Sequence, residues 1–473
     1  MTQDKTLLRG AQIVTVDPEI GTLATGDILI EGDRITAVGA HVDAPDADVV
    51  DVSGHVIAPG MVDTHRHTWQ SLGRAVCADW SLADYFYGIR LALSPAYSAE
   101  DVYLGNKVGA LEALNAGVTT ILDFSHCNNT PEHSDAAVRG LLDAGIRATF
   151  CYGFFESSPY APPHFVDHAS RLADFERIAD TYFASIGLVS LGVALTELGL
   201  VPFSDTRAEI EVARARGALI ATHMGCVWSM PSGLAELDAA GLLGPDQVHI
   251  HCNTLNDDEW RALARAGAKV SISVETELNM GMGRPAFEKC LQFGVKPTLS
   301  CDVVSLSSGD LVTQARMGLG FKRWADTEAL NLAGKDVETV STTALDALTW
   351  ATVNGADALG MAESLGSITP GKQADLMIIG GDSFTQTPQI DAVGTLVFQM
   401  TPHDVRHVLV AGRFVKRDGV LVDHDMADLL AQAHQASEQI LARVHTAVPV
   451  LPGTPGGGFA DVTAAAIANL ERS

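Results

Sequence analysis

The sequence lacks the features of a disulfide-bonded or membrane-embedded protein. Its seven cysteines are scattered, odd in number and without a C-x-x-C spacing, which is typical of reduced thiols. The first residues contain no apolar signal-peptide core, and no run of about 18 apolar residues occurs in the chain. We therefore expect a cytoplasmic protein with no disulfide framework and no membrane association.

Basic residues are also scarce. The chain has 31 lysines and arginines against 58 aspartates and glutamates, a formal net charge of −27. Such a chain repels phosphate backbones and anionic lipids, so we expect no nucleic-acid or membrane-surface role. With 473 residues, 47% of them hydrophobic, it is long enough for one large barrel plus a smaller unit.

The middle of the chain alternates between short apolar runs and longer amphipathic segments. In the first linker, Ser98 and Asp101 have the spacing of a capping box and predict a helix through Leu114. Eight such units predict an α/β fold of the (β/α)8 TIM-barrel type. The eight runs cover residues 56–62, 118–123, 148–151, 191–195, 219–223, 248–251, 270–274 and 297–301.

Both ends of the chain look different from this repeating region. Each end contains short β-type runs separated by turns, and neither has enough strands for its own core. Because chain termini often lie close together, we expect them to form one small β-sandwich. The predicted boundaries are 1–58 and 365–422 for the two sandwich parts, 59–364 for the barrel and 423–473 for a helix and tail. We expect the tail after Pro452 to be a flexible arm or to pack on a neighbouring subunit.

Histidines and one aspartate lie at the ends of several apolar runs. In a barrel, the carboxyl ends of the strands meet at the active-site mouth, so these side chains are expected to converge. Three or four imidazoles with one carboxylate form a nitrogen and oxygen site suited to Zn2+, Fe2+, Co2+ or Mn2+. The residues are His65, His67, His223, His249, His251 and Asp302.

The sequence resembles the amidohydrolase superfamily. It is most similar to the branch that holds triazine chlorohydrolases and aminohydrolases, guanine deaminase, and S-adenosylhomocysteine and methylthioadenosine deaminases. The resemblance covers nearly the whole chain. It rests on ILIEGDRITAVG at 28–39, VIAPGMVDTHRH at 56–67, LEALNAGVTTILD at 111–123, ATVNGADALGM at 351–361 and GSITPGKQADLMII at 366–379.

The resemblance implies which residues carry the chemistry. By position, His65, His67, His223 and Asp302 match the family's metal ligands, and His251 matches a histidine that contacts substrate or the metal-bound water. The fourth run, LGVALTELG, has no lysine to bridge two metals, so we expect one divalent metal per chain, Zn2+ before Fe2+, Co2+ or Mn2+. Asp302 and His251 are then the catalytic residues, since a bound cation lowers the pKa of water to about 7 and Asp302 can take its proton. The family also implies a homo-oligomer, a dimer or tetramer.

One departure from the family bears on the substrate. Relatives in this branch typically carry a glutamate three residues after the fifth-run histidine, where it moves protons to a ring nitrogen. Here that position is Cys226. A thiol, with an ordinary pKa of about 8.5, is a weak donor. We therefore expect a small-molecule substrate with a non-peptide C–N bond in an amide, urea, carbamate or cyclic amide.

Two alternatives stay open. The first is a deaminase or dechlorinase of an N-heterocycle, of purine, pyrimidine, pterin or triazine type, in which another acid replaces the absent glutamate. Glu275 and Glu277, two residues apart after the seventh run, are both expected to face the mouth in that case, and Glu197, after the fourth run, is a third candidate for this acid. The second is an inactive barrel that only binds ligands. Candidate substrate-binding residues are Gln70, His126, Glu197, Cys226, Trp228, Glu275 and Glu277.

Overall fold

The computed structural model describes residues 5–155, 160–185, 187–381, 383–452 and 459–470. In chain order the strands are β1 (Lys5–Val14), β2 (Thr22–Glu31), β3 (Arg34–Gly39), β4 (Asp48–Asp51), β5 (Val56–Pro59), β6 (Met61–Arg66), β7 (Val118–Ser125), β8 (Arg147–Gly153), β9 (Val189–Ala194), β10 (Leu219–Met224), β11 (Gln247–His251), β12 (Lys269–Ile272), β13 (Pro297–Leu299), β14 (Leu376–Ile379), β15 (Val405–Val410), β16 (Arg413–Arg417) and β17 (Val420–Leu421).

Helices fill most of the intervals between the barrel strands. They are α1 (Leu82–Tyr85), α2 (Ala99–Asn115), α3 (Pro131–Ala144), α4 (His168–Tyr182), α5 (Phe203–Ala215), α6 (Leu234–Ala239), α7 (Asp257–Ala266), α8 (Val274–Asn279), α9 (Phe287–Phe293), α10 (Leu311–Leu332), α11 (Ala344–Trp350), α12 (Val353–Ala358), α13 (Ala392–Gly394), α14 (Met426–Ala447) and α15 (Ala460–Leu470). The capping box at the start of α2 is confirmed, since the Asp101 N–H donates to Ser98 Oγ and the Ser98 N–H donates to Asp101 Oδ2. Among the described residues, no helix has both the length and the apolar character needed to cross a bilayer.

Strands β6 to β13 form the predicted parallel barrel. Each pairs in parallel with the next, in the order of the chain. At the mouth, β6 returns to the residues after β13, because the Asp302 N–H donates to His65 O (3.0 Å) and the His67 N–H donates to Asp302 O (2.8 Å). The barrel therefore closes at the very residues predicted to bind metal.

The two chain ends join in one β-unit, as predicted for the small β-sandwich, and their strands form a mixed sheet. Its order is β17-β16-β15-β14-β5-β1-β2-β3, with β4 beside β1. Beyond the strand pairs, the Ile35 N–H donates to Lys372 O (2.9 Å) and the Ala374 N–H donates to Asp33 O (2.8 Å). These bonds bring β3 back to the segment before β14 around a separate buried core that includes Leu8, Ile28 and Leu376.

The first apolar run does not form a single strand. Residues 56–59 are β5 of the terminal sheet, and the barrel strand β6 begins only at Met61. Gly60 separates the two, and a side chain at this position would clash with Thr119. The chain therefore passes from one sheet to the other at a residue where only glycine fits.

The C-terminal segment differs in part from expectation. Residues 453–458 lie outside the described residues, but 459–470 are described, and α15 packs on the mouth of its own barrel. The expectation of a flexible arm is therefore wrong for this helix, whereas packing on a neighbouring subunit stays a prediction. Its small side chain at Ala466, which is fully buried, fits against Gly199 and explains the close packing.

Candidate metal centre and substrate cavity

Four histidines and one aspartate converge at the barrel mouth. His65 lies on β6 and His67 directly follows it; His223 is on β10 and His251 ends β11, while Asp302 comes three residues after β13. All are buried except His223, which is about nine-tenths buried. The structure thus brings together five of the six residues that were expected to converge, whereas His249 contacts Gln247 instead.

The ε-nitrogens of these histidines and the carboxylate of Asp302 surround one small space. His65 Nε2 lies 3.0 Å and His67 Nε2 lies 3.5 Å from Asp302 Oδ1. His223 Nε2 lies 3.4 Å from His65 Nε2, and His251 Nε2 lies 3.9 Å from Asp302 Oδ2. Such spacing brings several ligand atoms within reach of one cation.

Hydrogen bonds to the opposite ring nitrogens fix the orientation of three of these rings. The pairs are His67 Nδ1 with Phe124 O (2.9 Å), His223 Nδ1 with Glu197 Oε1 (3.1 Å) and His251 Nδ1 with Glu277 Oε1 (3.1 Å). A carbonyl or an ionised carboxylate only accepts, so each Nδ1 donates, and in a neutral ring the lone pair is then on Nε2. Metal-binding histidines are commonly oriented in this way, because the ring nitrogen that does not bind the metal donates to a carbonyl or carboxylate.

Burial keeps three of the four clustered imidazoles neutral, those of His65, His67 and His223. It lowers the pKa of His65 to about 4 and that of His67 well below its usual value. The pKa of His223 is also lowered, again mainly by burial. Burial acts in the same direction on His251, but the hydrogen bond to Glu277 and the charge of Asp302 outweigh it and raise its pKa. Neutral rings are metal ligands, so the cluster fits a divalent cation.

Asp302 is ionised and held in an unusual backbone conformation. Burial would raise the pKa of its carboxyl, but the hydrogen bond from His65 and the nearby imidazoles hold it well below its usual range. Its φ is +58°, a left-handed conformation that aspartate and asparagine tolerate better than most residues. The carboxylate therefore adds a negative charge to the three neutral ring nitrogens, a donor set suited to Zn2+ and similar ions.

A cavity opens above this cluster. His67, His223, His251 and Asp302 form part of its wall, and Cys226 lies at the position of the absent family glutamate. Burial, followed by the charge of Glu197, raises the pKa of the Cys226 thiol to about 12. The thiol is therefore protonated at neutral pH and is neither a nucleophile nor an acid.

An ion pair that sequence reasoning did not identify also lines the cavity. Arg90 Nη1 donates to Glu197 Oε1 over 2.6 Å, and the same oxygen accepts from His223 Nδ1. Burial would raise the pKa of Glu197, but the charge of Arg90 and the bond from His223 hold it well below its usual range. The two residues are 107 positions apart in sequence, on a π-helix at Phe86–Leu93 and after β9, and no local pattern links them.

Glu275 and Glu277 do not face the same side, contrary to expectation. The seventh barrel strand, β12, ends at Ile272, and residues 274–279 form the helix α8, where positions two apart point in different directions. Glu277 is fully buried and accepts from His251 Nδ1, Asn253 Nδ2 and the Ser273 N–H. Glu275 instead contacts Ser308 and Gln314. Neither lies in the described cavity wall.

Three other candidate substrate-binding residues lie behind or beside the cavity. Gln70 is buried and bridges Tyr85 and Ser305 by hydrogen bonds. His126 stacks on His67 with ring centroids 4.1 Å apart, so it supports the cluster from behind. Trp228 is 68% exposed and donates from Nε1 to a backbone carbonyl after α8. None of the three is part of the cavity wall as described.

The Glu277 contact gives a first prediction. Replacing Glu277 with glutamine should lower kcat/KM by ~10–100-fold, because the charge that orients His251 and raises its basicity is lost. Steady-state kinetics of the zinc-loaded variant measures this loss. Glu275→Gln is the matched control, since the same change two residues away leaves the histidines untouched. Equal kcat/KM values for the two variants would contradict the role of Glu277.

The model of the amidohydrolase family matches residues 56–415, which include every barrel strand from β6 to β13 and part of the terminal sheet. The chain belongs to the amidohydrolase family. The predicted superfamily, fold and enzyme class, a hydrolase, are confirmed by this match.

Curated relatives match this amidohydrolase over nearly its whole length. A 5'-deoxyadenosine deaminase of Methanosarcina barkeri is 27% identical over 93% of this chain and 99% of its own. A 5-methylthioadenosine/S-adenosylhomocysteine deaminase of Symbiobacterium thermophilum is 26% identical over the same shares of the two chains.

Solved structures show the same fold. An adenosine deaminase of Xanthomonas campestris with bound zinc superimposes with a TM-score of 0.81 at 22% identity, covering 93% of this chain and 99% of its own. An atrazine chlorohydrolase of Arthrobacter aurescens with zinc gives a TM-score of 0.78 at 20% identity, covering 91% and 100%. At these identities the likeness concerns the fold, and the chemistry depends on the residues described above.

Proposed function

We propose that this amidohydrolase hydrolyses a non-peptide C–N bond of a small molecule, in an amide, urea, carbamate or cyclic amide. His65, His67, His223 and Asp302 would hold one divalent cation per chain, with Zn2+ preferred over Fe2+, Co2+ or Mn2+. Such a cation, when bound, polarises a carbonyl and lowers the pKa of water to about 7.

The protein's own groups would handle the protons of this reaction. Asp302 faces His65 and His251 with its two carboxylate oxygens, so it can take a proton from the attacking water and deliver it to the departing nitrogen. In its protonated form, His251 would donate from Nε2 to the carbonyl oxygen as negative charge develops there, while its Nδ1 donates to Glu277, which raises the pKa of His251 and so favours that form. Glu197 would keep His223 in position by accepting from its Nδ1.

The choice of substrate class depends on the ionisation state of the acids in the cavity wall. Among the described wall residues, the acids are Glu197 and Asp302, and both are ionised through their partners. At the position of the family glutamate the protein has Cys226, whose pKa is about 12. No acid of this wall therefore holds a proton for a ring nitrogen, whereas a carbonyl substrate needs none.

Deamination of an N-heterocycle is the second candidate, and the relatives favour it. The curated proteins that match 93% of the chain are named deaminases of adenosine-type nucleosides. In that reaction Asp302 would have to supply every proton, since the wall offers no second acid. This requirement ranks deamination below carbonyl hydrolysis.

A substrate panel separates the two. The zinc-loaded protein is incubated with purines, pyrimidines, pterins and triazines, and separately with amides, ureas, carbamates and cyclic amides; ammonia is measured enzymatically and other products by mass spectrometry. We expect turnover in the carbonyl panel, absent in the His223→Ala variant. Ammonia release from a heterocycle at a rate above every carbonyl substrate would reverse the ranking.

A further inference from the structure

The C-terminal helix α15 is fixed to the barrel mouth by specific contacts. Gly199, after β9, has φ +90°, and a side chain there would meet Ala466 Cβ at 2.8 Å and Ala466 Cα at 3.1 Å. Asn469 Nδ2 donates to Gly199 O over 2.8 Å, and Thr463 Oγ1 lies 3.1 Å from Ser229 Oγ in the loop after β10. The helix thus packs against the loops that follow two neighbouring barrel strands.

One face of this segment forms part of the cavity wall. Phe459, Val462 and Ala466 are three and four positions apart, so they lie on the same side of the helix. Phe459 and Val462 line the cavity, while Ala466 is completely buried below them. Phe459 also contacts Phe86, with ring centroids 5.9 Å apart. The outer wall of the cavity is therefore formed in part by Phe459 and Val462.

The wall around these residues is apolar. It includes Leu82, Phe86, Met230, Met282, Phe459 and Val462. Arg90, the cationic side chain of the described wall apart from the histidines, is already paired with Glu197. This part of the cavity therefore has no free positive charge for a carboxylate or phosphate, and methionines adapt well to irregular apolar groups.

We propose that Phe459 and Val462 determine substrate specificity: together with Phe86, they form a site for an alkyl or aryl group of the substrate. The inference rests on the proposed function, since it places that group on the amide, urea, carbamate or cyclic amide being hydrolysed. α15 selects for a hydrophobic substituent and against a charged one, because burial of apolar surface stabilises the complex whereas an unpaired charge would lose its hydration.

A series of straight-chain hydroxamic acids, from acetohydroxamate to hexanohydroxamate, tests this site. The hydroxamate group binds divalent cations, so the zinc-loaded full-length protein presents each chain to the cavity in a fixed direction. We expect affinity to rise about fourfold per added methylene, the fold-change that corresponds to ~0.8 kcal/mol per buried CH2. In Phe459→Ala and Val462→Ser the rise per methylene should be at most half as large. Ile467→Ser, a change at a 39% exposed position of the same helix, should retain the full rise.

A second measurement depends on neither metal nor turnover. Of the seven cysteines, all within the described residues, six are buried and Cys226 is partly accessible from the cavity. Its alkylation by N-ethylmaleimide is slow while burial keeps the thiol protonated, and opening the cavity past α15 would hydrate the thiol and raise the rate, which mass spectrometry measures. Ala466→Trp, which cannot fit against Gly199, should increase the alkylation rate at least tenfold, whereas Ile467→Trp should not.

The outcomes separate this proposal from the proposed function. An equal rise per methylene in wild type and Phe459→Ala, or equal alkylation rates in Ala466→Trp and Ile467→Trp, would overturn the role of α15. Failure of acetohydroxamate itself to bind would count against the metal centre, and the alkylation rates alone would then decide the role of α15. If both expected effects are observed but the protein hydrolyses no C–N bond, the apolar site is supported and the proposed function is refuted.

Discussion

Replacing Asp302 with asparagine is expected to lower kcat by ~10²–10⁴-fold, the usual contribution of a positioned proton carrier. The carboxylate of Asp302 lies 3.0 Å from His65 Nε2 and faces His67 and His251 as well, so the change removes both the proton acceptor and the negative charge of the cluster. Asparagine tolerates the left-handed backbone at this position, so the fold should be retained. Steady-state kinetics on the substrate found in the panel gives the rate.

The control for this variant is the same substitution at another left-handed position. Asp423 has φ +63° and is exposed, so Asp423→Asn makes the same substitution in the same left-handed backbone conformation, but away from the cavity. Both variants should have the melting temperature of the wild type to within a few degrees. A rate above about a tenth of wild type in Asp302→Asn would contradict the assigned role.

Replacing His223 with alanine should abolish both metal binding and turnover. Its Nε2 lies 3.4 Å from His65 Nε2, and its ring is held in place by Glu197, so no other side chain can take its position in the cluster. Without the cation, water keeps its ordinary pKa and the hydrolysis falls to the background rate. Metal content by plasma mass spectrometry and activity are measured on the same sample.

A buried histidine outside the cluster provides the comparison. His249 lies on β11, is fully buried and contacts Gln247 instead of the other histidines. His249→Asn should be less stable than the wild type, but it should keep one metal ion per chain and most of the activity. Loss of metal in both variants would mean that barrel stability, and not coordination by His223, governs binding.

The barrel was predictable because its strands and helices differ in periodicity. The point at which the chain changes sheets was not, since β5 and β6 are both fully buried and read as a single apolar run. Only the clash of any side chain at position 60 with Thr119, a contact between distant residues, separates them. The capping box at Ser98 needed no such contact, because it depends on residues three apart.

The convergence of the histidines was predictable because His65, His223 and His251 each lie at or near the end of an apolar run, and the carboxyl ends of barrel strands meet at one mouth. The roles of the surrounding acids were not. Glu277 supports His251 only because α8 begins directly after β12, and Glu197 meets Arg90 only through tertiary packing. The position of α15 was missed because its apolar face shows only that the helix packs somewhere, and not that it covers the cavity of its own chain.

The most direct test of the metal centre is a crystal structure of the zinc-loaded protein with anomalous data collected at the zinc absorption edge. We predict one peak per chain, at about 2.0–2.1 Å from the Nε2 atoms of His65, His67 and His223 and within ligand distance of Asp302. Two peaks, a peak elsewhere, or imidazoles turned away from a common centre would contradict it.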